Sequence, residues 1–387
     1  MENRKESLIN KFKSRYNIQE DKIKVAIAPG RVNLIGGHTD YNMGFVLPCA
    51  IDKDMMIAAA PNQTDTINLY SLNLKNSHTF SLKDLQYMKE NRWSNYAKGI
   101  CYYLMEEGYE IGGIDGIFHG TVPIGSGMSS SAALEVSIGY IFQLLFNLDI
   151  PQLDLIKIAY RAEREFIGVM CGIMDQYVSV AGVKNSVIFI DCRSLDHEII
   201  KIPSKDIKVV ILHTNVERAA ESALNQRKAE CFEAVQILQK EDSSIQALRD
   251  VSIDYFEMKK NNLPPTLRKR AQHVIYENER VINAKNALKN GDLESVGHLM
   301  YESHKSLADL YEVSIKELDY MIKIAKNSPG IIGCRMTGAG LGGAVACLVE
   351  QEHVEKLISN VMFQYPKLSD KEPLTYVCNI SDGVREG

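Results

Sequence analysis

Apolar residues recur along this chain at two periods, near 3.6 and near 2, so both helices and strands are expected. Leu8, Ile9, Phe12 and Tyr16 share one helical face among charged neighbours, which predicts an amphipathic helix over residues 2–20. Lys24-Val-Ala-Ile-Ala-Pro-Gly30 reads as a strand ending in a turn, and strand-like runs follow at 55–60 and 66–72. A helix opens at Trp93, and residues 115–122 form a strand that delivers the chain to Pro123. From Ala133 the run Ala-Leu-Glu-Val-Ser-Ile-Gly-Tyr-Ile-Phe-Gln-Leu-Leu is apolar at helical spacing, with serines ahead of it as N-caps. A charged amphipathic helix is expected over 153–170, and further helices over 216–240, 264–290, 294–311 and 315–327. Between 192 and 206 the pattern turns polar around Pro203, which sets a domain boundary near residue 200.

Composition narrows the class. A length of 387 residues favours two domains, here 1–200 and 201–387, over a single core. Net charge is −5 with no basic block, which gives no footprint for nucleic acid. Eight cysteines without a Cys-x-x-Cys pair point to reduced thiols rather than zinc or a disulfide framework. The start Met-Glu-Asn-Arg-Lys-Glu leads into a polar helix, and no apolar run is long enough to span a bilayer. The expectation is a soluble, cytoplasmic, monomeric protein without a membrane or nucleic-acid partner.

Candidate chemistry gathers at Pro123-Ile-Gly-Ser-Gly-Met-Ser-Ser-Ser-Ala-Ala-Leu134. Two glycines let several amides point at one spot, and the helix N-terminus behind them favours negative charge. Gly125, Ser126, Gly127, Met128, Ser129, Ser130 and Ser131 are thus expected to cradle a nucleotide's phosphates. The run ends in neither Gly-Lys-Ser/Thr nor Gly-x-Gly-x-x-Gly, so it is neither a P-loop nor a dinucleotide fingerprint. It resembles the second motif of the GHMP kinases. Gly30-Arg-Val-Asn-Leu-Ile-Gly followed by His38-Thr-Asp-Tyr-Asn42 is similar to the galactokinase signature. Cys171-Gly-Ile-Met-Asp-Gln-Tyr-Val-Ser179, Ser303-His-Lys-Ser-Leu-Ala-Asp-Leu-Tyr-Glu-Val-Ser314 and Met336-Thr-Gly-Ala-Gly-Leu-Gly-Gly343 extend the resemblance from about residue 25 to 348.

That resemblance implies an α+β, two-domain GHMP kinase fold with the active site in the cleft between domains. It implies ATP and Mg2+ as cofactors and phosphorylation of a sugar at its anomeric hydroxyl. Asp175 then stands as the base, with Arg31 beside it to stabilise the migrating phosphoryl group; by its residues alone Asp175 reads equally as a turn cap. Ser131 and Glu163 resemble metal ligands, although Glu163 alone reads as a solvated helix face. Ser71 resembles an ATP-contacting serine, and Gly338 and Gly340 are expected to close over the nucleotide. Gly37, His38, Thr39 and Asp40 fall on the sugar side, Asp40 resembling the residue that grips the 3- and 4-hydroxyls.

Two positions depart from the family. Its Glu before His-Thr-Asp, which accepts from the sugar's 6-hydroxyl, is Gly37 here. Its sugar-contacting Tyr, seven residues before Cys231, is Leu224, and no tyrosine lies between Tyr177 and Tyr255. Loss of a buried hydroxyl partner costs about 1–3 kcal/mol, so two such losses point to a changed sugar. Removing a carboxylate favours a C6-carboxylated sugar, D-galacturonate, with Arg218 as its cation. The alternatives are D-galactose, L-arabinose and a non-catalytic sugar sensor.

Overall fold

The protein is described from a computed structural model covering residues 2–90, 92–123, 125–216 and 220–387. The first lobe runs α1 (Glu2–Tyr16), β1 (Lys24–Asn33), β2 (Phe45–Val46), β3 (Pro48–Pro61), β4 (Thr66–Ser71), β5 (Asn76–Ser81) and α2 (Arg92–Glu106). It continues through β6 (Ile114–Gly120), α3 (Ser130–Phe146), α4 (Gln152–Arg161), α5 (Met174–Ala181), β7 (Ser186–Asp191) and β8 (His197–Lys201). The second lobe holds β9 (Ile207–His213), α6 (Ala220–Gln239), α7 (Ile253–Lys259), α8 (Pro265–Lys289), α9 (Leu293–Asp309) and α10 (Lys316–Lys326). It closes with β10 (Ile331–Thr337), β11 (Ala344–Glu350), α11 (Val354–Gln364) and β12 (Leu374–Cys378), after which the chain returns to the first lobe as β13 (Arg385–Glu386).

The first sheet has the order β13-β1-β3-β6-β4-β5, antiparallel except for the parallel pair β4 and β6. Leu8 and Phe12 of α1 cover one face against Val25, Ile27, Met56 and Ile117. The opposite face packs on α3. That helix is buried along Ala132–Phe142 on nearly every side, which is why it is apolar all round rather than striped. A second sheet, β10-β11-β9-β12, carries the other lobe. The apolar core runs across the junction: Val209, Ile211, Val281, Ala344 and Leu348 pack into the cluster that holds α3.

Several expectations are corrected. The sheets change between Lys201 and Ile207, but residues 201–387 are not one unit, because β13 returns to pair with β1 (Ala26↔Glu386) and Ile380 bridges Ile51. Without β13, β1 would leave an unpaired sheet edge. The helix expected over 153–170 ends at Arg161 and widens into a π-turn over Ala162–Phe166. The glycine-rich turn at 338–343 is preceded by a strand, β10, as well as followed by one.

One glycine sets the spacing of the second lobe. A β-carbon on Gly297 of α9 would lie 1.7 Å from the Ile332 carbonyl of β10. Helix propensity favours Ala over Gly by about 1 kcal/mol, yet overpacking against rigid backbone costs about 1–3 kcal/mol. Gly297→Ala is therefore expected to destabilise the protein, read as a lower urea midpoint; an unchanged or higher midpoint would remove the close approach from the packing account.

Candidate active site

The site begins at an irregularity in β1. Register with β3 shifts between Pro29 and Arg31, where Pro29 has no N–H to lose from the ladder. Gly30 leaves room for the next loop, since a β-carbon there would stand 2.4 Å from the Met128 carbonyl. The Arg31 amide then donates to that carbonyl at 3.1 Å. The loop is tied to the strand by backbone, and Arg31 is aimed from the strand at what the loop surrounds.

The Arg31 guanidinium joins three elements. Its Nε and Nη2 donate to the two carboxylate oxygens of Asp175, each at 2.7 Å, and its Nη1 donates to the Gly127 carbonyl at 2.6 Å. The fork-to-fork pairing fixes the Asp175 carboxylate in plane and angle as well as in charge. The Ser129 hydroxyl also donates to Asp175. Asp175 sits in the first turn of α5 and Ser129 at the N-cap of α3 in a left-handed conformation (φ 60°), so two helix starts meet here. Gly125 and Gly127 take positive φ (76° and 81°), the conformations that turn successive amides to one side. The Asp175 side chain keeps 23% of its surface exposed, and that surface is in the cleft.

Glu163 is buried rather than solvated, with 6% of its surface exposed. The π-turn puts it there; such one-turn widenings often mark functional positions. Gln176 of α5 donates from Nε2 to Glu163 at 2.6 Å and to Glu135 of α3 at 3.0 Å. Burial and then the Asp175 charge push the Glu163 carboxyl above its usual range, opposed by hydrogen bonds from Ser131, Gln176 and Cys171. Burial, then Glu163, pushes Glu135 up as well, and further. No cation pairs with Glu163 among the described residues. A desolvated carboxylate without a counter-cation, beside the Ser131 hydroxyl, is an all-oxygen donor set that suits a hard dication.

The opposite wall is the loop after β1. Glu277 of α8 accepts from the Gly36 and Gly37 amides, both at 3.0 Å, from Ser303, and from Arg280 Nε at 2.7 Å. Burial alone would raise this carboxyl, but the Arg280 and Arg335 guanidiniums together with the Ser303 bond hold it well below the usual range. His273 Nε2 donates to the Gly37 carbonyl at 2.9 Å, which leaves Nδ1 to accept from Ser306 at 2.8 Å. His38 has φ 62°, and its Nδ1 lies 2.6 Å from the Tyr41 hydroxyl. Burial first, then nearby cations, lowers His38 to about 3, so it is neutral, and its buried Nε2 has no partner among the described residues. Asp40 is pushed up to about 6, by burial and then by the Asp175 charge, with Arg31 opposing. Its carboxylate stands where a β-carbon on Gly172 would come within 2.0 Å, so only glycine fits at 172.

These groups line one cavity of about 330 Å3: Arg31, Gly37, His38, Asp40, Gly125, Gly127, Ser129, Ser130, Ser131, Glu163, Asp175, Leu224, Arg335 and Gly338. Five expected residues do not line it. Thr39 is spent inside its loop, donating to the Gly36 and Phe45 carbonyls. Ser126 turns back onto the Pro123 carbonyl at 2.6 Å, and Met128 is a core side chain. Ser71 is buried at the end of β4, accepting from the Leu74 amide at 3.2 Å. Gly340 is needed for packing, since a β-carbon would meet the Val313 carbonyl at 2.3 Å. Arg218 lies outside the described residues. Sequence reasoning missed Gln176, Glu135, Gly172, Glu277 and Arg335. Of these, Gly172 and Gln176 fall inside the Cys171–Ser179 motif, and Glu135 stands out as the single charge inside an apolar helix. A larger hollow of about 1180 Å3 around Lys208, Leu293 and Glu352 carries none of this chemistry.

Among known proteins, the chain is similar to galactokinases. The galactokinase galactose-binding signature matches residues 10–61, the GHMP kinase N-terminal domain 95–183 and the GHMP kinase C-terminal domain 284–367. The chain is 41% identical over 362 residues to a galactokinase of Chloroflexus aurantiacus, covering 93% of each protein. It is 39% identical over 373 residues to a galactokinase of Bacillus subtilis, covering 95% of each. The crystal structure of Lactococcus lactis galactokinase complexed with galactose superimposes with a TM-score of 0.94 at 36% identity, covering 98% of this chain and 99% of that one. A mevalonate kinase structure, at 20% identity and a TM-score of 0.67, shares the fold.

Proposed function

The chain belongs to the galactokinase family of the GHMP kinases, and we propose that it transfers the γ-phosphoryl group of ATP to the anomeric hydroxyl of a galactose-configured sugar. The products are the sugar 1-phosphate and ADP. The observation that carries this reading is the Arg31–Asp175 fork at the mouth of the phosphate loop, in one cavity with Asp40.

The anomeric hydroxyl sits against Asp175, which takes its proton as the C1 oxygen bonds to phosphorus and the bond to the leaving ADP oxygen breaks. Arg31 holds the carboxylate in place and presents its charge to the phosphoryl group in transit. Amides from Gly125 to Ser131 and the start of α3 receive the phosphates. Magnesium, held by Glu163 and Ser131, would offset the charge on the phosphate oxygens. Asp40, ionised, accepts from a vicinal hydroxyl pair on the ring, and the neutral His38 offers a further polar contact. Both walls come from one chain, which supports action as a monomer, and free thiols with ATP as donor support the cytoplasm. D-galactose is the acceptor that the relatives' names support, whereas Gly37 and Leu224 favour D-galacturonate. A non-catalytic sensor is disfavoured because the Arg31–Asp175 pair and Glu163 are all in place.

Sugar-dependent ADP release, with phosphate found on C1 by NMR, tests the reading; ATP hydrolysis indifferent to every aldose would sink it. The pH profile adds a second check. Asp40 binds hydroxyls in its ionised form, present above about 6 and lost below it. In the free enzyme kcat/KM for the sugar should be level above neutrality and fall about tenfold per pH unit on the acid side. A profile flat well below that point would take Asp40 out of sugar binding.

A further inference from the structure

Arg335 projects from β10 into the same cavity, where it feels the charge of Glu277 but forms no ion pair among the described residues. Only 1% of its surface is exposed. Its Nε and Nη1 are buried without a hydrogen-bond partner, and no carboxylate pairs with it among the described residues. The nearest acid, Glu277, is fully engaged by Gly36, Gly37, Ser303 and Arg280. The remaining neighbours do not help: His38 and His273 are neutral, and Arg31 and Arg280 add positive charge. A desolvated guanidinium with free donors is a costly arrangement that an incoming anion relieves.

The place of that anion is marked by Gly37. A β-carbon on Gly37 would fall 2.5 Å from Arg335 Nη2, with Leu307 at 3.1 Å on the other side. Because residue 37 has no side chain, the guanidinium edge meets the cavity directly. Leu307 narrows the space, which suits a flat carboxylate better than a tetrahedral phosphate. A fork of N–H donors also matches a carboxylate two-to-two.

We propose that Arg335, uncovered by Gly37, is a receptor for a carboxylate on the sugar, and that the acceptor is a galactose-configured hexuronate ionised at C6. The inference rests on the sugar 1-kinase reading. Asp175, Gly37 and Arg335 line one cavity, so a sugar with C1 at Asp175 and its ring hydroxyls on Asp40 has the wall of Gly37 and Arg335 left to receive its exocyclic carboxylate. Arg335 takes the part expected of Arg218.

Initial rates of ADP formation with D-galacturonate and with D-galactose, kcat and KM measured separately, test this. The wild type is expected to favour galacturonate at least about tenfold in kcat/KM. Arg335→Gln is expected to lower the galacturonate-to-galactose ratio by about a hundredfold, mainly through KM, as for loss of one partner in a buried charge pair. Gly37→Glu puts an internal carboxylate on Arg335 and is expected to turn the preference to galactose. Melting curves and the KM for ATP check that each variant is folded. If Arg335→Gln does not fold, the wild-type ratio and Gly37→Glu decide the matter. A wild-type preference for galactose, or a ratio unmoved in a folded Arg335→Gln, overturns the proposal and leaves the kinase reading standing. Turnover of neither sugar overturns the kinase reading itself.

Discussion

Asp175→Asn is expected to lower kcat by about a thousandfold while sugar and nucleotide still bind. A positioned general base contributes about 10²–10⁴ in rate, and Asp175 is the carboxylate whose exposed edge faces the cavity while two other groups hold its orientation. Asparagine keeps the shape but turns an N–H toward donors, either Arg31 or Ser129, so it can neither take the proton nor sit quietly in the fork. Stability should fall by only about 1–3 kcal/mol, because the side chain borders the open cleft and water can replace part of the lost pairing. The check is kcat by coupled ADP assay beside binding constants for ADP and sugar. A rate within tenfold of wild type would make Asp175 a structural partner of Arg31.

Arg31→Met should be damaging in two ways at once. It leaves the Asp175 carboxylate without its cation and the Gly127 carbonyl without a donor, in a place from which the guanidinium had excluded water. Breaking such a pair from one side costs about 3–5 kcal/mol. The fall in urea midpoint should therefore exceed that for Asp175→Asn, and turnover should also be lost. Arg31→Lys is the sharper probe. An ammonium supplies charge but not two parallel bonds plus a third to Gly127, so stability should be partly restored and rate should not. If lysine restores the rate, charge alone matters and the fork is incidental.

The chemistry-bearing loops were largely legible because each is contiguous. Amides that a single loop turns to one target are neighbours in the chain, so Gly125 to Ser131 reads as a phosphate site before any fold is known. Asp175 was ambiguous between a base and a turn cap, and Glu163 read as a solvated helix face. What decides both is burial and partners, brought in by α3 and by a π-turn that periodicity does not encode. The return of β13 to β1 was hidden for a similar reason. A two-residue strand has no period to detect, and its pairing is with a residue at the other end of the chain.

By itself, then, the sequence determined the local devices: a glycine turn opening a serine-capped helix start, the order of the motifs, and the missing side chain at Gly37. Tertiary structure decided which of these devices meet. Arg31 and Asp175, 144 residues apart, are joined only because a bulged strand and a helix start converge, and Gly37 faces Arg335 only because β10 passes behind that loop. Local backbone geometry follows from neighbouring residues, but which charge lacks a partner depends on everything packed around it, and that is fixed only when the whole chain has closed.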